Sequence, residues 1–257
     1  MKYELETKYP PIAIGCCFFG RPNNYQAIIS SIEKMAMAYN NEVRAFIYFS
    51  GETEVDAKAH IDSIKFEFRD IFTFKSGPNR LDEPKYRLPL ASKMPFIFTA
   101  DDDCIFEDDT LTILMDTYKD IQAIDPQHGF FSPVGWFGTI IKNGQLLVPI
   151  EGRYNLAPGE IQQVSYVGSC GCLYRREILK DKRLRYENWP VFIGAASDVW
   201  LSFLVSKYYK SPIFITGLHK ADLPEHGHSL WEDSIAKELP RIIECLVSDG
   251  WEKGIKT

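Results

Sequence analysis

The first half of the chain alternates continuous apolar runs with segments whose apolar residues recur at helical spacing. The apolar runs at residues 11–19, 43–49 and 96–100 predict buried β-strands, and a weaker run predicts a strand at 66–74. Helical spacing predicts helices at residues 25–39, 51–64 and 109–118. The stretch 75–88, rich in Pro, Gly, Arg and Asp, predicts a long loop. This alternation is typical of a mostly parallel sheet covered by helices.

The second half is less regular, and its elements are shorter. Its patterns predict strands near residues 146–150, 163–166 and 213–215, separated by a span at 135–144 that is rich in Gly and aromatic residues. The predicted helices are 176–179, 197–207 and 233–248. Because no repeat, low-complexity tract or linker divides the chain, we expect one α/β domain.

Composition narrows the class of protein. The 257 residues are 45% hydrophobic, which is ample for a packed core, and the net charge of −6 argues against nucleic acid as the main partner. With no apolar run long enough for a membrane span and no signal-peptide core, we expect a soluble, cytoplasmic chain, or one held peripherally at a membrane. The six cysteines lack zinc-site spacing, so free buried thiols are expected.

An acidic triplet, Asp101-Asp102-Asp103, directly follows the apolar run at 96–100. Adjacent carboxylates repel one another unless a cation or a ring of donors holds them. Strand carboxyl ends are where open α/β sheets bind ligands, and Mg²⁺ and Mn²⁺ prefer oxygen ligands. The triplet therefore predicts a divalent metal site, and a solvated acidic turn before the helix at 109 is the alternative.

Other segments carry further candidates. Asp198 lies at the start of a predicted amphipathic helix, after a segment of small residues. It could be a second acid of the site or simply a helix cap. His226 and His228 lie in a Gly-containing loop and could complete a metal site, with His228 preferred. Arg21 follows the first strand, and Arg80 precedes the triplet, so both could bind phosphate or be ordinary surface residues.

Aromatic residues cluster in the predicted loops of the second half. Stacking on sugar rings would explain exposed tryptophans there, and core packing is the alternative. The cluster comprises Phe130, Phe131, Trp136, Phe137, Tyr154, Tyr186 and Trp189.

The order of these motifs resembles that of GT-A-fold glycosyltransferases, from about residue 12 to residue 231. Asn79-Arg80, the segment 101–105 that contains the triplet, and the segment 198–206 are similar to motifs of exostosin-like catalytic domains. The triplet, the Gly-rich strand and Asp198-Val199 are also similar to bacterial capsule N-acetylglucosaminyltransferases.

The resemblance implies a Rossmann-like central mixed sheet in a single domain. The nucleotide-binding half would comprise about residues 10–125, and the acceptor and catalytic half would comprise about residues 126–257. The implied activity is hexosyl or N-acetylhexosaminyl transfer from a nucleoside diphosphate sugar, with UDP favoured, to a saccharide or glycolipid, as in polysaccharide biosynthesis.

The resemblance also implies roles for individual residues. Mn²⁺ or Mg²⁺ would bind Asp103, with Asp101 contacting ribose or a metal-bound water and Asp102 in a supporting position at the nucleotide. Asp198 would act as general base in an inverting reaction, or would stabilise positive charge on the sugar in a retaining one. The remaining implied contacts are Arg21, Asn79 and Arg80 to the nucleotide or its diphosphate, Gly168 and Ser169 to the donor sugar, and Trp136 and Trp189 to the acceptor.

Two other functions compete with this one. A sugar-phosphate nucleotidyltransferase also uses acids at strand ends, but it should carry a Gly-rich basic loop after the first strand, and residues 16–21 do not supply one. A non-catalytic, Ca²⁺-dependent carbohydrate-binding protein would explain the acidic triplet and the tryptophans, but not the strand–helix alternation.

Overall fold

The chain folds around one large sheet, seen in a computed structural model that describes residues 8–39, 41–142, 145–151, 156–190, 193, 196–218, 220–223 and 236–251. The strands in these residues are β1 (Ile12–Phe18), β2 (Val43–Ser50), β3 (Phe72–Gly77), β4 (Phe96–Asp101), β5 (Cys104–Phe106), β6 (Val134–Gly135), β7 (Phe137–Lys142), β8 (Gln145–Glu151), β9 (Ile161–Val164), β10 (Tyr166–Val167), β11 (Cys172–Arg175), β12 (Ile213–Thr216) and β13 (Lys220–Asp222). The α-helices are α1 (Tyr25–Ala38), α2 (Glu54–Ser63), α3 (Glu83–Arg87), α4 (Thr110–Ile124), α5 (Arg176–Leu179), α6 (Ser197–Leu204) and α7 (Ala236–Ser248).

The large sheet has eight strands in the order β3-β2-β1-β4-β11-β6-β12-β9. Strands β3, β2, β1 and β4 run parallel, whereas β11 is antiparallel to both β4 and β6. Two small sheets, β10-β7-β8 and β13-β5, lie outside it. The prediction of an α/β domain with a mixed central sheet flanked by helices is therefore confirmed.

The strand order creates a crevice between β1 and β4. The chain passes from β1 to β2 and β3 on one side and then returns to β4 on the other side of β1. Such a reversal is where open α/β sheets bind ligands, outside the carboxyl ends of the strands. Because Asp101 pairs with Cys17 at the end of β1, the acidic triplet lies at this crevice.

Both faces of β1 are buried, which explains its continuous apolar sequence. Ile12 and Ile14 point into a core formed with Ile28 of α1 and Leu114 of α4. Ala13 points into a second core that contains residues of α3, α6 and α7. Helices therefore cover the strand on both sides.

Several predicted elements differ in their limits. The strand predicted at 66–74 begins only at Phe72, because a 3-10 turn (Arg69–Ile71) precedes it. Helix α4 continues to Ile124, and the helix predicted at 197–207 ends in a π-helical turn, Val205–Tyr209. The span at 135–144, for which no strand is predicted, contains the last residue of β6 and all of β7. Its glycines interrupt the strand pattern in the sequence.

The prediction of a loop throughout 75–88 is wrong in its first three residues, which belong to β3, and in its second part. Helix α3 forms there, with Pro84 in its first turn, where the missing N–H costs nothing. The helix packs directly on β1 at Gly15, where an added Cβ would lie 1.9 Å from the carbonyl oxygen of Lys85. Only a glycine permits this approach of the helix to the strand.

Gly15→Ala should therefore lower the free energy of unfolding by about 3 kcal/mol, because α3 has to move away from β1. Urea denaturation measures the change. Gly20→Ala is the control, since Gly20 has a φ of +68° and open space around it, and backbone strain alone should cost about 1 kcal/mol there. Equal losses in the two variants would contradict the proposed clash.

Candidate functional site

The three carboxylates of the triplet face different surroundings. Asp102 is 2% exposed, whereas the side chains of Asp101 and Asp103 are 33% and 30% exposed. The backbone leaves β4 at Asp101 and turns before entering β5. Two of the three acids are therefore accessible from the crevice.

Asp102 connects the triplet to the turn after β1. Its Oδ2 accepts a hydrogen bond of 2.6 Å from the Phe19 amide, its Oδ1 accepts one from Arg21, and its carbonyl accepts one of 2.9 Å from Asn24 Nδ2. Burial raises the pKa of Asp102 to about 6, although the Phe19 amide and Arg21 lower it. Both carboxylate oxygens are thus bound within the protein, and a contact of Asp102 with a nucleotide stays a prediction.

Arg21 reaches the triplet, as expected for a residue at this edge of the sheet. Its Nη1 pairs with Asp102 and lies 3.6 Å from Asp103 Oδ2. The guanidinium group is largely buried, and its Nε contacts no hydrogen-bond partner among the described residues. Arg21 therefore compensates the negative charge of the triplet from its buried side.

A second cation, Lys85 of α3, holds Asp101. Its Nζ lies 2.5 Å from Asp101 Oδ1 and 3.1 Å from Asp82 Oδ1, and its side chain is 0% exposed. Burial alone would lower the pKa of Lys85, but the two carboxylates outweigh it and raise the pKa well above its usual value. Asp82 also accepts a 2.8 Å hydrogen bond from Ser197, whose hydroxyl lies 3.1 Å from that of Tyr86. A buried, charged lysine thus joins β4 and α3 to the start of α6.

Asp198, in the first turn of α6, lies beside this network. The pKa of Asp198 is raised to about 7 overall: burial is the largest cause and the charges of Asp82 and Asp101 add to it, whereas a 2.8 Å hydrogen bond from the Val199 amide and the charge of Lys85 lower the pKa. The structure therefore brings the predicted catalytic acid into electrostatic contact with the triplet. A carboxyl group with this pKa can exchange a proton near neutral pH.

Asp82 and Lys85 are functional candidates that the sequence analysis missed. They lie in the segment predicted as a loop, and their only signal is the spacing of three residues, which brings side chains together on a helix. Because this segment is predicted as a loop, the spacing does not indicate that the two side chains lie close together.

Arg80 lines a cleft on the same sheet edge. The cleft has a volume of about 410 Å³, within the range of small-molecule sites, and Arg87 and Arg185 also line it. Arg80 is half exposed and lies 3.6 Å from Glu83, and Arg185 Nε is buried without a partner in the described part of the chain. The carboxylates of Glu83 and Glu187 line the cleft as well, so its three guanidinium groups exceed its acids by one, and this excess favours an anionic ligand.

The register of the strands relates this cleft to the triplet. Tyr48, which lines the cleft, pairs with Cys17, and Cys17 pairs with Asp101. Two strand spacings, about 10 Å, therefore separate Tyr48 from Asp101. Asn79 shapes the adjoining turn, since its Oδ1 accepts hydrogen bonds from Ser50 and from the Leu81 amide.

The predicted sugar-binding loop is fixed against β4. The Gly168 amide donates to the Phe137 carbonyl at 2.9 Å, and the Gly171 amide donates to the Thr99 carbonyl at 2.7 Å. The Thr99 hydroxyl donates to the carbonyl of Ser169. Since Thr99 lies two residues before Asp101, the loop lies next to the triplet.

The two tryptophans predicted to meet an acceptor differ in exposure. Trp136 is 7% exposed, packs near Phe137 and donates a 2.7 Å hydrogen bond to the Cys170 carbonyl, so it has no free face for a sugar and belongs to the core. Trp189 is half-buried, and its ring meets the exposed ring of Tyr186 with 5.4 Å between centroids. The acceptor role is therefore better suited to Trp189.

The two histidines predicted as metal ligands, His226 and His228, lie outside the described residues. Within the described ranges, the group of possible metal ligands whose donor atoms all lie within 4.8 Å of one another is Asp103, Cys104 and Cys170. Among the three triplet acids, Asp103 is therefore the one that groups with other potential ligand atoms, the sulfurs of Cys104 and Cys170.

Compared with known proteins, the chain matches no family model and no curated protein sequence. Among the helices that the structure describes, none is both long and apolar enough to cross a membrane.

Asp198→Asn should change how stability depends on pH. With a pKa of about 7 in the folded state against an ordinary 3.8, Asp198 favours folding while protonated. This contribution is complete below about pH 4 and is lost as the pH rises through about 7. The variant stays neutral, so its Tm relative to the parent should rise from pH 5 to pH 8, by about 5 °C.

The matched control is Asp108→Asn, because Asp108 is exposed and lies outside the network. Its Tm difference from the parent should stay flat over the same pH range. A flat difference for Asp198→Asn as well would contradict the raised pKa.

Proposed function

We propose that the protein is a metal-dependent glycosyltransferase that moves a sugar from a nucleoside diphosphate donor to a saccharide or glycolipid acceptor. The observation that carries the proposal is the chain of contacts from Asp101 through Lys85 and Asp82 to Ser197, which brings the neighbouring Asp198 towards the accessible triplet acids at the crevice between β1 and β4. An arginine-lined cleft on the same edge supports it.

The donor diphosphate would bind through Mn²⁺ or Mg²⁺. Asp103 is the principal ligand in this proposal, because its side chain is 30% exposed and directly follows the end of β4 at the crevice. Asp101 is bound by Lys85 and would contact the ribose or a metal-bound water. A divalent cation neutralises the charge that develops on a leaving diphosphate.

The nucleotide would extend towards the arginine-lined cleft. Arg80 carries the most accessible guanidinium group of the cleft. UDP is the favoured nucleotide. The loop containing Gly168 and Ser169 would form the wall against the donor sugar, and Trp189 would face the acceptor.

Asp198 would accept the proton of the attacking acceptor hydroxyl. A base works best when its pKa lies near the operating pH, and burial in the network provides this. Direct attack with Asp198 as the base inverts the sugar's anomeric centre. In the alternative, retaining reaction the same carboxylate stabilises positive charge on the sugar.

The competing functions have less support. In a nucleotidyltransferase the turn after β1 would hold phosphate, but here the Phe19 amide and Arg21 bind Asp102. A binding protein without catalysis would have no use for the raised pKa of Asp198.

UDP together with Mn²⁺ should raise the Tm by about 5 °C or more at a hundredfold excess over the Kd, because both bind the folded state. UDP alone should give a smaller shift. Asp103→Asn should abolish the metal-dependent part, and Arg80→Ala should weaken it. Asp108→Asn, which removes an exposed acid nearby, should behave like the parent. No shift with any nucleoside diphosphate and metal would refute the proposal.

Asp198→Asn should separate binding from transfer. The variant should bind UDP and Mn²⁺ within about twofold of the parent but release UDP from UDP-sugars at least about a hundredfold more slowly, because the base is missing. Asp103→Asn should lose both. The parent's rate should rise with pH through about 7 as Asp198 loses its proton. Undiminished turnover in Asp198→Asn would exclude this residue as the base.

A further inference from the structure

Two thiols meet beside the acidic triplet. Cys104 Sγ lies 2.6 Å from Cys170 Sγ, although 66 residues separate them in the chain. Cys104 is the first residue of β5 and directly follows Asp103. Cys170 lies in the loop between β10 and β11, next to Ser169. The pair therefore joins the acidic turn to the loop proposed to face the donor sugar.

The backbone on both sides is held independently of the sulfur atoms. On one side, the Cys170 carbonyl accepts a hydrogen bond from Trp136 Nε1, and the following residue, Gly171, donates to Thr99. On the other side, Cys104 pairs with β13, and Phe106 of the same strand bonds with Ser31. The thiols are thus brought together by the fold itself.

A metal ion is the competing explanation for the group formed by Asp103 and the two cysteines. Zinc–thiolate bonds of about 2.3 Å at tetrahedral angles place two sulfurs about 3.8 Å apart. The observed 2.6 Å is closer to the disulfide bond length of about 2.0 Å. The geometry therefore favours a covalent bond over shared coordination of a metal.

We propose that Cys104 and Cys170 form an intramolecular disulfide, a modification site whose oxidant is a low-molecular-weight disulfide such as oxidised glutathione. The proposal rests on the geometry of the two thiols and not on the proposed enzymatic activity. Its location gives it a consequence for any ligand at the triplet, because the bond would fix the loop containing Ser169 against the residue that follows Asp103.

The reaction proceeds in two exchanges. Cys170 is half-buried and Cys104 is 2% exposed, so the Cys170 thiolate attacks the oxidant first and releases one reduced thiol. Cys104 then attacks the Cys170 sulfur, releases the second reduced thiol and closes the disulfide. The protein loses two protons and two electrons, and the oxidant becomes two thiols.

Incubation of the whole chain with oxidised glutathione at pH 8.5, followed by mass spectrometry, tests the proposal. The expected product is lighter by two hydrogen atoms and yields one peptide pair linked through Cys104 and Cys170. The closed loop should raise the Tm, by about 5 °C or more. Reduction should reverse both changes.

Single serine variants make the test decisive. Cys104→Ser should stop at a glutathione adduct on Cys170, whereas Cys170→Ser should form neither the adduct nor the link. Cys245→Ser, which changes another half-buried cysteine, should link like the parent. A persistent glutathione adduct in the parent, or no reaction in the folded protein, would overturn the proposal. Equimolar Zn²⁺ that binds tightly through both thiols would also overturn it.

Discussion

The buried ammonium group of Lys85 is the interaction on which the rest of the site depends. It neutralises Asp101 and Asp82, and Asp82 in turn binds Ser197. A buried lysine without such partners would lose its proton or destabilise the fold. Strand β4, helix α3 and helix α6 must therefore stay together, and the absence of a side chain at Gly15 allows α3 to come close enough. This arrangement places Asp198 beside the triplet.

The adjacent acids of the triplet have different cationic partners, which reduce their mutual repulsion and give the acids different roles. Arg21 binds Asp102 from inside, and Lys85 binds Asp101 from the α3 side. Asp103 lies 3.6 Å from Arg21 Nη1, and its side chain is 30% exposed. The three acids therefore differ in their charged partners and in their access to solvent.

The sequence predicts the parts of the fold whose patterns are long and local. Strands β1, β2 and β4 and helix α1 are confirmed, because continuous apolar runs and helical spacing report burial directly. The positions of Asp103 and Asp198 at the ends of such elements could be predicted for the same reason. The role of Lys85 could not be predicted, because α3 has only five residues and is too short to show a helical period. Trp136 could not be identified as a core residue, because its burial depends on neighbours from other strands.

The most direct test of the central claim is a crystal structure of the protein grown with UDP and Mn²⁺, with anomalous scattering recorded from manganese. We expect an anomalous peak at coordination distance from a carboxylate oxygen of Asp103 and from the UDP diphosphate, with Asp198 facing the position of the donor sugar. Bound UDP with its metal elsewhere on the protein, or an Asp103 carboxylate that contacts neither metal nor diphosphate, would contradict it.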